Sequence, residues 1–391
     1  MYSERINSVK PFIVMEVLAR ALEMERNGID IVHMEIGEPD FDTPSRIVEG
    51  CFSDIKDGKT HYTHSLGYLE LREALSEYKL KSRNTYFDPN TQFMITGGTS
   101  PAFFNIFSTI LNPGDEVIIT DPGYPCYVNF VSFFGAKPVF IPIYEEKEFN
   151  LDINQLKESI TPKTKALILN SPSNPTGQII PGSTLKEIQN IVVKNNFWVI
   201  SDEIYAELTY YGEIAPSLSD QKFKEAHNKL IILDGFSKYW AMTGWRLGYI
   251  IAPEELIQKM MPIQQNFAIC APSISQAAAV HALKCEEETQ EMLRLYKERR
   301  YFIVKSLNKM KGISCLEPKG AFYIFANIKE LQTSSMDFAM NLLEKNHVAI
   351  CPGISFGPNG EGYVRFSYPT DINNIKIAMD RLKTFIDEVY F

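Results

Sequence analysis

Leu230–Tyr249, with the sequence LIILDGFSKYWAMTGWRLGY, decides the fold that we predict for this chain of 391 residues. Its first four residues are apolar and predict a short buried strand of an α/β sheet. The pair Asp234-Gly235 then breaks the strand. Lys238 follows among aromatic and small residues, and Arg246 is the only charged residue after it in this stretch. Such a lysine is either a surface residue or an amine withdrawn from water, and the rest of the chain must decide which.

Apolar runs and helical segments alternate on both sides of this stretch. We predict strands of one sheet at Phe93–Thr96, Glu116–Thr120, Lys165–Asn170, Phe197–Ser201, Leu230–Leu233 and Leu247–Ala252. Strands that alternate with helices predict a largely parallel sheet, and such sheets bind ligands at the carboxyl ends of their strands.

The pattern changes along the chain in a way that predicts three parts. Residues 1–44 hold a helix, Phe12–Arg26, a short strand, Ile31–Ile36, and a proline-rich loop, and we expect them to join the smaller domain. Residues 45–283 form the large α/β domain. Residues 284–391 begin with the long charged helix Glu286–Lys311 and continue with short strands, which predicts a small α+β domain.

Composition excludes several classes of protein. The net charge of −9 argues against a nucleic-acid-binding protein, which is normally basic. Six cysteines without a CxxC pair predict reduced thiols in a cytoplasmic protein. The first residues lack an apolar signal core and no long apolar run follows, so we expect neither secretion nor membrane insertion. His61 and His64 are spaced like a ligand pair, but no cysteine or carboxylate completes a site, so we expect no metal.

Polar residues follow several of the predicted strands. Gly98-Thr99-Ser100 opens the helix after the first strand, and a helix N-terminus with two hydroxyl donors suits an anion, although most glycine turns only connect elements. Asp202 follows the run Phe197–Ser201, where a carboxylate is costly to bury unless it faces a positive group such as a protonated heterocyclic nitrogen. The alternative is a cap for a helix over Glu203–Leu208, with Tyr205 on the same helical side as Asp202.

Three further side chains could serve a ligand. Asn174 lies in a proline-flanked loop and either donates to a phenolic oxygen or is an ordinary turn residue. Arg246 suits a phosphate through its planar set of donors, and a surface salt bridge is the alternative. Arg365, in the strand-like run Val364–Tyr368, either holds a carboxylate or lies at a sheet edge.

The motifs together resemble those of the fold-type I pyridoxal-phosphate enzymes, specifically the class I/II aminotransferases of the aspartate aminotransferase superfamily. The resemblance extends from about Ile31 to the C-terminus. The matching motifs are Asn174-Pro175-Thr176-Gly177, Ser201-Asp202-Glu203-Ile204-Tyr205, Ser237-Lys238, Met242-Thr243-Gly244-Trp245-Arg246-Leu247-Gly248 and Val364-Arg365-Phe366-Ser367. The resemblance implies a large domain with a mostly parallel seven-stranded sheet, which binds pyridoxal 5′-phosphate, plus the smaller α+β domain.

The resemblance also implies a role for each matching residue at the cofactor. Lys238 would form a Schiff base with the cofactor and then carry a proton during the reaction. Asp202 would pair with the pyridinium nitrogen and keep it protonated, while Tyr205 and Asn174 would hold the phenolic oxygen. The other implied contacts are Tyr124 on the ring face and Gly98, Thr99, Ser100, Ser237 and Arg246 at the phosphate. Gly235 stands where some relatives carry a further phosphate-binding serine.

On the substrate side, the resemblance implies that Arg365, Asn174 and the backbone of Gly37 hold the α-carboxylate. Tyr62 would reach the phosphate of a neighbouring subunit, which implies a homodimer. The implied reaction moves an amino group from an α-amino acid to a 2-oxo acid, such as 2-oxoglutarate, with ping-pong kinetics. Gln264–Ser275 contains no basic residue, which favours neutral or aromatic substrates and leaves acidic ones open.

Two other functions are compatible with this resemblance. A β-eliminating C–S lyase would use the same scaffold and cofactor, and the motifs do not separate it from an aminotransferase. A transcription-factor domain of the same fold would need an added DNA-binding part, which the acidic chain does not suggest.

Overall fold

The computed structural model describes residues 2–11 and 13–391. The strands are β1 Val32–His33, β2 Phe93–Thr96, β3 Glu116–Asp121, β4 Lys137–Pro142, β5 Thr164–Asn170, β6 Trp198–Asp202, β7 Leu230–Gly235, β8 Gly248–Ile251, β9 Ser314–Cys315, β10 Tyr323–Asn327, β11 Val348–Ala349, β12 Cys351–Pro352 and β13 Tyr363–Ser367. The helices are α1 Ile13–Arg26, α2 Ser45–Lys56, α3 Leu69–Arg83, α4 Thr99–Ile110, α5 Cys126–Phe133, α6 Ile153–Ser159, α7 Gly182–Asn195, α8 Glu254–Phe267, α9 Ser273–Ala282, α10 Glu286–Leu307, α11 Ser335–Asn346 and α12 Ile372–Val389.

Seven strands form the large sheet, in the order β2-β8-β7-β6-β5-β3-β4. The strands from β7 to β4 run parallel, and β8 lies antiparallel between β2 and β7. The mostly parallel seven-stranded sheet is therefore confirmed. The edge strand β4 is absent from the predicted strands because Pro138 and Pro142 obscure its pattern; an edge strand tolerates proline, which cannot donate to a neighbour.

Helices cover both faces of this sheet. Alternate residues of each strand enter different apolar clusters, as β5 illustrates: Leu167 and Leu169 join the cluster that includes α3 and α7, whereas Ala166 and Ile168 join the one that includes α4 and α8. This period of two is the expected result for a strand buried on both sides. Because both faces are covered, the open place for a ligand is the edge where the strands end.

A second, smaller sheet has the antiparallel order β12-β13-β10-β9, and β1 pairs in parallel with β11. Helix α1 packs its apolar side, including Val17 and Met24, against Leu343 and Ala349, so the N-terminal residues contact the C-terminal part of the chain. The predicted strand Ile31–Ile36 is wrong in extent, because only Val32 and His33 pair with β11. The predicted helix Phe12–Arg26 is observed as α1, and Phe12 lies outside the described residues.

All six cysteines are free thiols. Within the described residues, every helix falls short of the length or the apolar character that crossing a membrane requires.

Candidate active site

An open cavity of about 440 Å³ lies where β2, β3, β6 and β7 end. Its walls come from the loops that follow these four strands and from the N-terminal loop after β1. The lining residues are Ile36, Gly37, Glu38, Thr99, Ser100, Tyr124, Ile204, Ser237, Lys238, Thr243, Gly244 and Arg246. Seven of the residues predicted from the sequence to form the site therefore meet at the predicted edge of the sheet: Gly37, Thr99, Ser100, Tyr124, Ser237, Lys238 and Arg246.

Lys238 is half-buried in this cavity, and its Nζ donates a hydrogen bond of 2.6 Å to the carbonyl of Gly37. Burial lowers the pKa of Lys238 to about 8; Glu38 opposes the shift, and the nearby Arg365 and Arg246 reinforce it. An amine with such a pKa is partly neutral near neutral pH, which is the state needed for attack on a carbonyl. Lys238 is therefore the withdrawn amine rather than the surface lysine.

The N-terminus of α4 and Arg246 form the cationic end of the cavity. Gly98 caps α4 with φ +104°, and a Cβ built there would lie 3.0 Å from Nη2 of Arg246, so a side chain would crowd the guanidinium. Arg246 donates to the carbonyl of Thr243 at 3.1 Å and forms no ion pair within the described residues. Backbone N–H groups, two hydroxyls and an unpaired guanidinium are the donors that bind a phosphate.

Asp202 ends β6 beneath the cavity and is 5% exposed. Its carboxylate accepts hydrogen bonds from Oη of Tyr127 at 2.5 Å and from the backbone N–H of Ile204 at 3.3 Å. Burial raises the pKa of Asp202 to about 7, although the hydrogen bond from Tyr127 lowers it. The alternative of a helix over Glu203–Leu208 is wrong, because residues 204–207 form turns and no helix follows β6 there. Asp202 and Tyr205 therefore do not share a helical face.

Arg365 lies behind the cavity in β13, where its guanidinium is buried. It donates to Oδ1 of Asn174 at 2.9 Å and to the carbonyl of Glu35, and it lies 4.4 Å from the ring centre of Tyr323. Its Nε has no hydrogen-bond partner within the described residues. A buried arginine that no carboxylate pairs in the described part of the chain favours an anionic ligand over the sheet-edge alternative.

Tyr205 and Tyr323 contact each other, and Tyr323 also contacts Arg365. The hydroxyls of Tyr205 and Tyr323 lie 2.7 Å apart. Tyr323 also explains why position 37 is glycine, since a Cβ there would lie only 2.0 Å from the Tyr323 hydroxyl. Gly235 is less constrained: a Cβ there would lie 3.0 Å from the carbonyl of Leu247, a tight contact that a small shift of the backbone before β8 would relieve.

Three partners in this region were not predicted from the sequence. Tyr127 could have been considered, because it follows the predicted site residue Tyr124 by only three residues, and the two ring centres lie 5.2 Å apart. The other two, Tyr323 and the carbonyl of Glu35, contact residues far away in the chain, so no local pattern indicates them.

Tyr62 is the one predicted site residue that lies apart from the rest. Its side chain is 80% exposed beside a separate cavity of about 400 Å³ lined by His61 and residues 270–273. Nδ1 of His64 accepts a hydrogen bond from the backbone of Leu66. Residues 2–11 and 13–391 hold no group of three or more His, Cys, Asp or Glu arranged for a metal ion.

A buried ionic cluster lies on the other side of β6 and β7. Lys79 is fully buried and contacts Asp234 at 2.9 Å and Glu203 at 3.3 Å, and Arg83 contacts Glu203 at 3.3 Å. Burial alone would raise the pKa of Glu203, but Lys79 and Arg83 lower it to about 2. Asp234 in turn accepts a hydrogen bond from the N–H of Gly235 at 2.7 Å, so the cluster holds the backbone just before Lys238.

The unpaired charges of the site fit pyridoxal phosphate. Within the described residues, Lys238, Arg246 and Asp202 each lack an ion pair, although all three lie in or next to the cavity. An amine for an aldehyde, a cationic cradle for a phosphate and a buried carboxylate for a ring nitrogen correspond to the three functional groups of this cofactor.

Comparison with known proteins gives the same result. Residues 29–382 match the family described as aminotransferase class I and II. The chain belongs to this family. It is 42% identical to a (5-formylfuran-3-yl)methyl phosphate transaminase of Methanocaldococcus jannaschii, covering 99% of this chain and 100% of the relative. It is 40% identical to an aromatic-amino-acid aminotransferase of Thermococcus litoralis, covering 99% and 98%.

The solved structures of this aminotransferase family agree with the fold. A Pyrococcus protein superposes with a TM-score of 0.93 at 40% identity, covering 98% of both chains. An aspartate aminotransferase variant of Thermus thermophilus superposes with a TM-score of 0.91 at 35% identity, covering 98% of this chain and 99% of that one. The protein is therefore a pyridoxal-phosphate-dependent aminotransferase of fold type I that acts on amino acids and oxo acids. These relatives do not favour the C–S lyase alternative.

Proposed function

We propose that Lys238 is the residue that binds the cofactor covalently and carries the proton of the reaction. The observation that carries this proposal is the position of its half-buried amine in one cavity with Arg246 and the N-terminus of α4. The bound cofactor supplies an electron sink that weakens the bonds to the Cα of an amino acid. A lysine with its pKa near 8 can accept a proton from that carbon and return it to a neighbouring one.

The remaining residues hold the cofactor in this proposal. Asp202, supported by the hydrogen bond from Tyr127, keeps a positive charge on the ring nitrogen. Tyr205 and Asn174 hold the phenolic oxygen, and Tyr124 covers the ring. The phosphate is held by Gly98, Thr99, Ser100, Ser237 and Arg246. Since Gly235 supplies no side-chain hydroxyl, the phosphate relies on these donors.

We propose that Arg365 binds the substrate α-carboxylate together with Asn174 and the backbone of Gly37. The aromatic rings of Tyr323 and Phe356 lie 4.4 and 4.9 Å from its guanidinium and fix its plane. Among the described residues that line the cavity, the only cations are Lys238 and Arg246, and both already have a role. Neutral or aromatic amino acids are therefore the preferred donors, with 2-oxoglutarate as an acceptor.

We propose that the enzyme is a homodimer in which Tyr62 reaches the phosphate bound by the other subunit. An 80% exposed tyrosine ring beside a cavity suits an interface rather than a solvent-facing surface. We also propose that residues 45–283 form the cofactor-binding domain, that residues 1–44 and 284–391 form the small one, and that the enzyme is cytoplasmic, as its free cysteines suggest.

Replacing Lys238 by alanine tests the central assignment. Borohydride reduction of the wild-type holoenzyme should leave the cofactor on the peptide that contains Lys238, as read by mass spectrometry, and the variant should lack this adduct and nearly all transaminase activity. Lys259→Ala is the matched control, because Lys259 is exposed on α8. Full activity of K238A, or an adduct on another lysine, would refute the assignment.

Substrate and dimer have tests of their own. A panel of amino donors with 2-oxoglutarate, pyruvate or oxaloacetate identifies the substrates; a strong preference for aspartate would contradict the proposed neutral or aromatic donors.

For the dimer, inactive K238A subunits are mixed with Tyr62→Phe subunits. A mixed dimer regains one complete site if Tyr62 acts across the interface, so activity should exceed that of either variant alone. No gain on mixing would refute the role of Tyr62.

A further inference from the structure

A second cavity lies on the opposite side of the segment that carries Lys238. It has a volume of about 540 Å³, and we call it the rear cavity. Tyr239 and Trp240, the two residues after Lys238, form one of its walls. Another wall is formed by Tyr78, which lies on α3, and by Glu207, which lies in the loop after β6. Residues from α9 and α10 complete the cavity. Its volume is within the range of small-molecule binding sites.

Glu207 is the unusual residue of the rear cavity. It is 9% exposed, and its Oε1 accepts a hydrogen bond of 3.1 Å from Tyr78. Its other carboxylate oxygen has no hydrogen-bond partner within the described residues, and the side chain lines the cavity. Burial and then the neighbouring Asp234 raise the pKa of Glu207, and the opposing effect of Lys79 and Arg83 is smaller, so its negative charge is only partly compensated.

The two buried cations nearby, Lys79 and Arg83, act on this carboxylate only from a distance, because their ion pairs are with other carboxylates. Lys79 contacts Asp234 and Glu203, and Arg83 contacts Glu203 and Asp220. In residues 2–11 and 13–391, Glu207 forms no ion pair. A buried carboxylate without a positive partner is costly, so a cation that enters the cavity would remove this penalty.

The aromatic wall favours the same kind of ligand. Trp240 meets Tyr239 and Tyr78 edge to face, with ring centres 5.0 and 5.9 Å apart, so the rings enclose one side of the cavity. Together with Val280 and Leu283 they give the cavity an apolar wall that suits the organic part of a ligand. The charged groups lining the cavity are four carboxylates, Glu77, Glu207, Glu213 and Glu286, and two ammonium groups, Lys81 and Lys284. The local potential is therefore negative, which disfavours an anion.

We propose that the rear cavity binds a small organic monocation, with its ammonium group at Glu207 and its apolar body against Trp240. A metal ion is a poorer fit, because Glu207 is the only deeply buried carboxylate in the lining and aromatic rings occupy the places of further ligands. The ligand would touch the backbone next to Lys238 without entering the active site, so the two sites are separate but adjacent.

Calorimetric titration of the holoenzyme with benzyltrimethylammonium tests this proposal. This probe has no N–H group, so it does not condense with the cofactor aldehyde. We expect one saturable site per chain, and binding at least about tenfold weaker to Glu207→Gln, since loss of a buried charge partner removes roughly this factor. The matched control is Glu213→Gln, which removes the same charge from an exposed position and should change the affinity less than about twofold.

Two measurements keep the proposal falsifiable if E207Q fails to fold. The neutral analogue benzyl alcohol should bind the wild-type holoenzyme at least about tenfold more weakly than the cation. Saturating 2-oxoglutarate should leave the affinity for the cation unchanged, because the rear cavity is outside the active site. Equal affinity for the charged and neutral probes, displacement by 2-oxoglutarate, no saturable binding or an unchanged affinity of E207Q would each overturn the proposal.

Discussion

The hydrogen bond from Tyr127 to Asp202 allows a quantitative test of the proposed cofactor site. Tyr127→Phe removes only the hydroxyl that donates to the carboxylate at 2.5 Å. The ring of Tyr127 remains to pack against Phe103 and Tyr124, whose ring centres lie 5.3 and 5.2 Å away. The change should therefore act on the charge of Asp202 rather than on the fold.

The magnitude follows from the strength of this bond. A hydrogen bond to a charged group contributes about 1.5–3 kcal/mol. One pKa unit corresponds to about 1.4 kcal/mol, so the pKa of Asp202 should rise by about 1–2 units in the variant. In the wild type this pKa is about 7, because burial raises it. The ionised carboxylate that pairs with a protonated ring nitrogen is therefore lost at a higher pH in the variant.

Equilibrium binding of pyridoxamine 5′-phosphate to the cofactor-free enzyme measures this shift, because the ligand has no aldehyde and does not condense with Lys238. Both proteins lose affinity as the pH falls through the pKa of Asp202. The ratio of their dissociation constants cancels the titration of the ligand itself. At pH 6 the variant should bind about 10–100-fold more weakly, and at pH 9 less than about twofold more weakly.

A ratio that stays constant between pH 6 and pH 9 would refute the reasoning, since a general loss of structure has no such pH dependence. Equal binding at pH 6 would show that Tyr127 does not stabilise the ionised carboxylate. Tyr86→Phe is the control, because Tyr86 is 64% exposed and should leave the ratio near one throughout.

Three other substitutions probe different parts of the molecule. Arg365→Lys keeps the charge but loses the planar donor set, so kcat/KM for amino acids should fall about 10–150-fold, mainly through KM; unchanged steady-state kinetics would contradict its role. Lys79→Met leaves buried carboxylates without their cation and should lower the free energy of unfolding in urea by about 3–5 kcal/mol, whereas the exposed Lys81→Met should change it little. The hydrogen bond to Glu35 raises the pKa of His33 to about 9 and so stabilises the charged form of His33. His33→Gln should therefore destabilise the protein at pH 6, by only about 1–2 kcal/mol because the imidazole is partly exposed to solvent. This stabilisation is complete below about pH 6.5 and is lost as the pH rises through 9, so the difference should vanish near pH 10; a difference that persists there would contradict the assignment.

The strands and the candidate residues that follow them could be predicted because both depend on local sequence. Asp202 ends β6 and Lys238 lies three residues after β7, and the carboxyl ends of parallel strands meet at one edge of the sheet. The antiparallel direction of β8 could not be predicted in the same way, because no pattern within a strand indicates the direction of its neighbour.

Contacts between distant parts of the chain were outside the reach of sequence reasoning. The carbonyl of Gly37 meets Lys238 across 201 positions, and the carbonyl of Glu35 meets Arg365 across 330. Every residue has a backbone carbonyl, so the amino-acid sequence does not indicate which carbonyl accepts a hydrogen bond from a distant side chain. Lys79 is a different case: on an amphipathic helix a lysine is expected on the solvated side, yet this one is fully buried because two carboxylates surround it.

The adjacent carboxylates at the end of β6 make this strand sensitive to the parity of its length. Asp202 faces Tyr127 on one side of the sheet, and Glu203 faces Lys79 and Arg83 on the other. Insertion or deletion of a single residue in β6 would exchange the two environments, so that the acid meant for the ring nitrogen would meet the buried cations instead. A change of two residues preserves the alternation. Natural length variation at this strand should therefore occur in even steps.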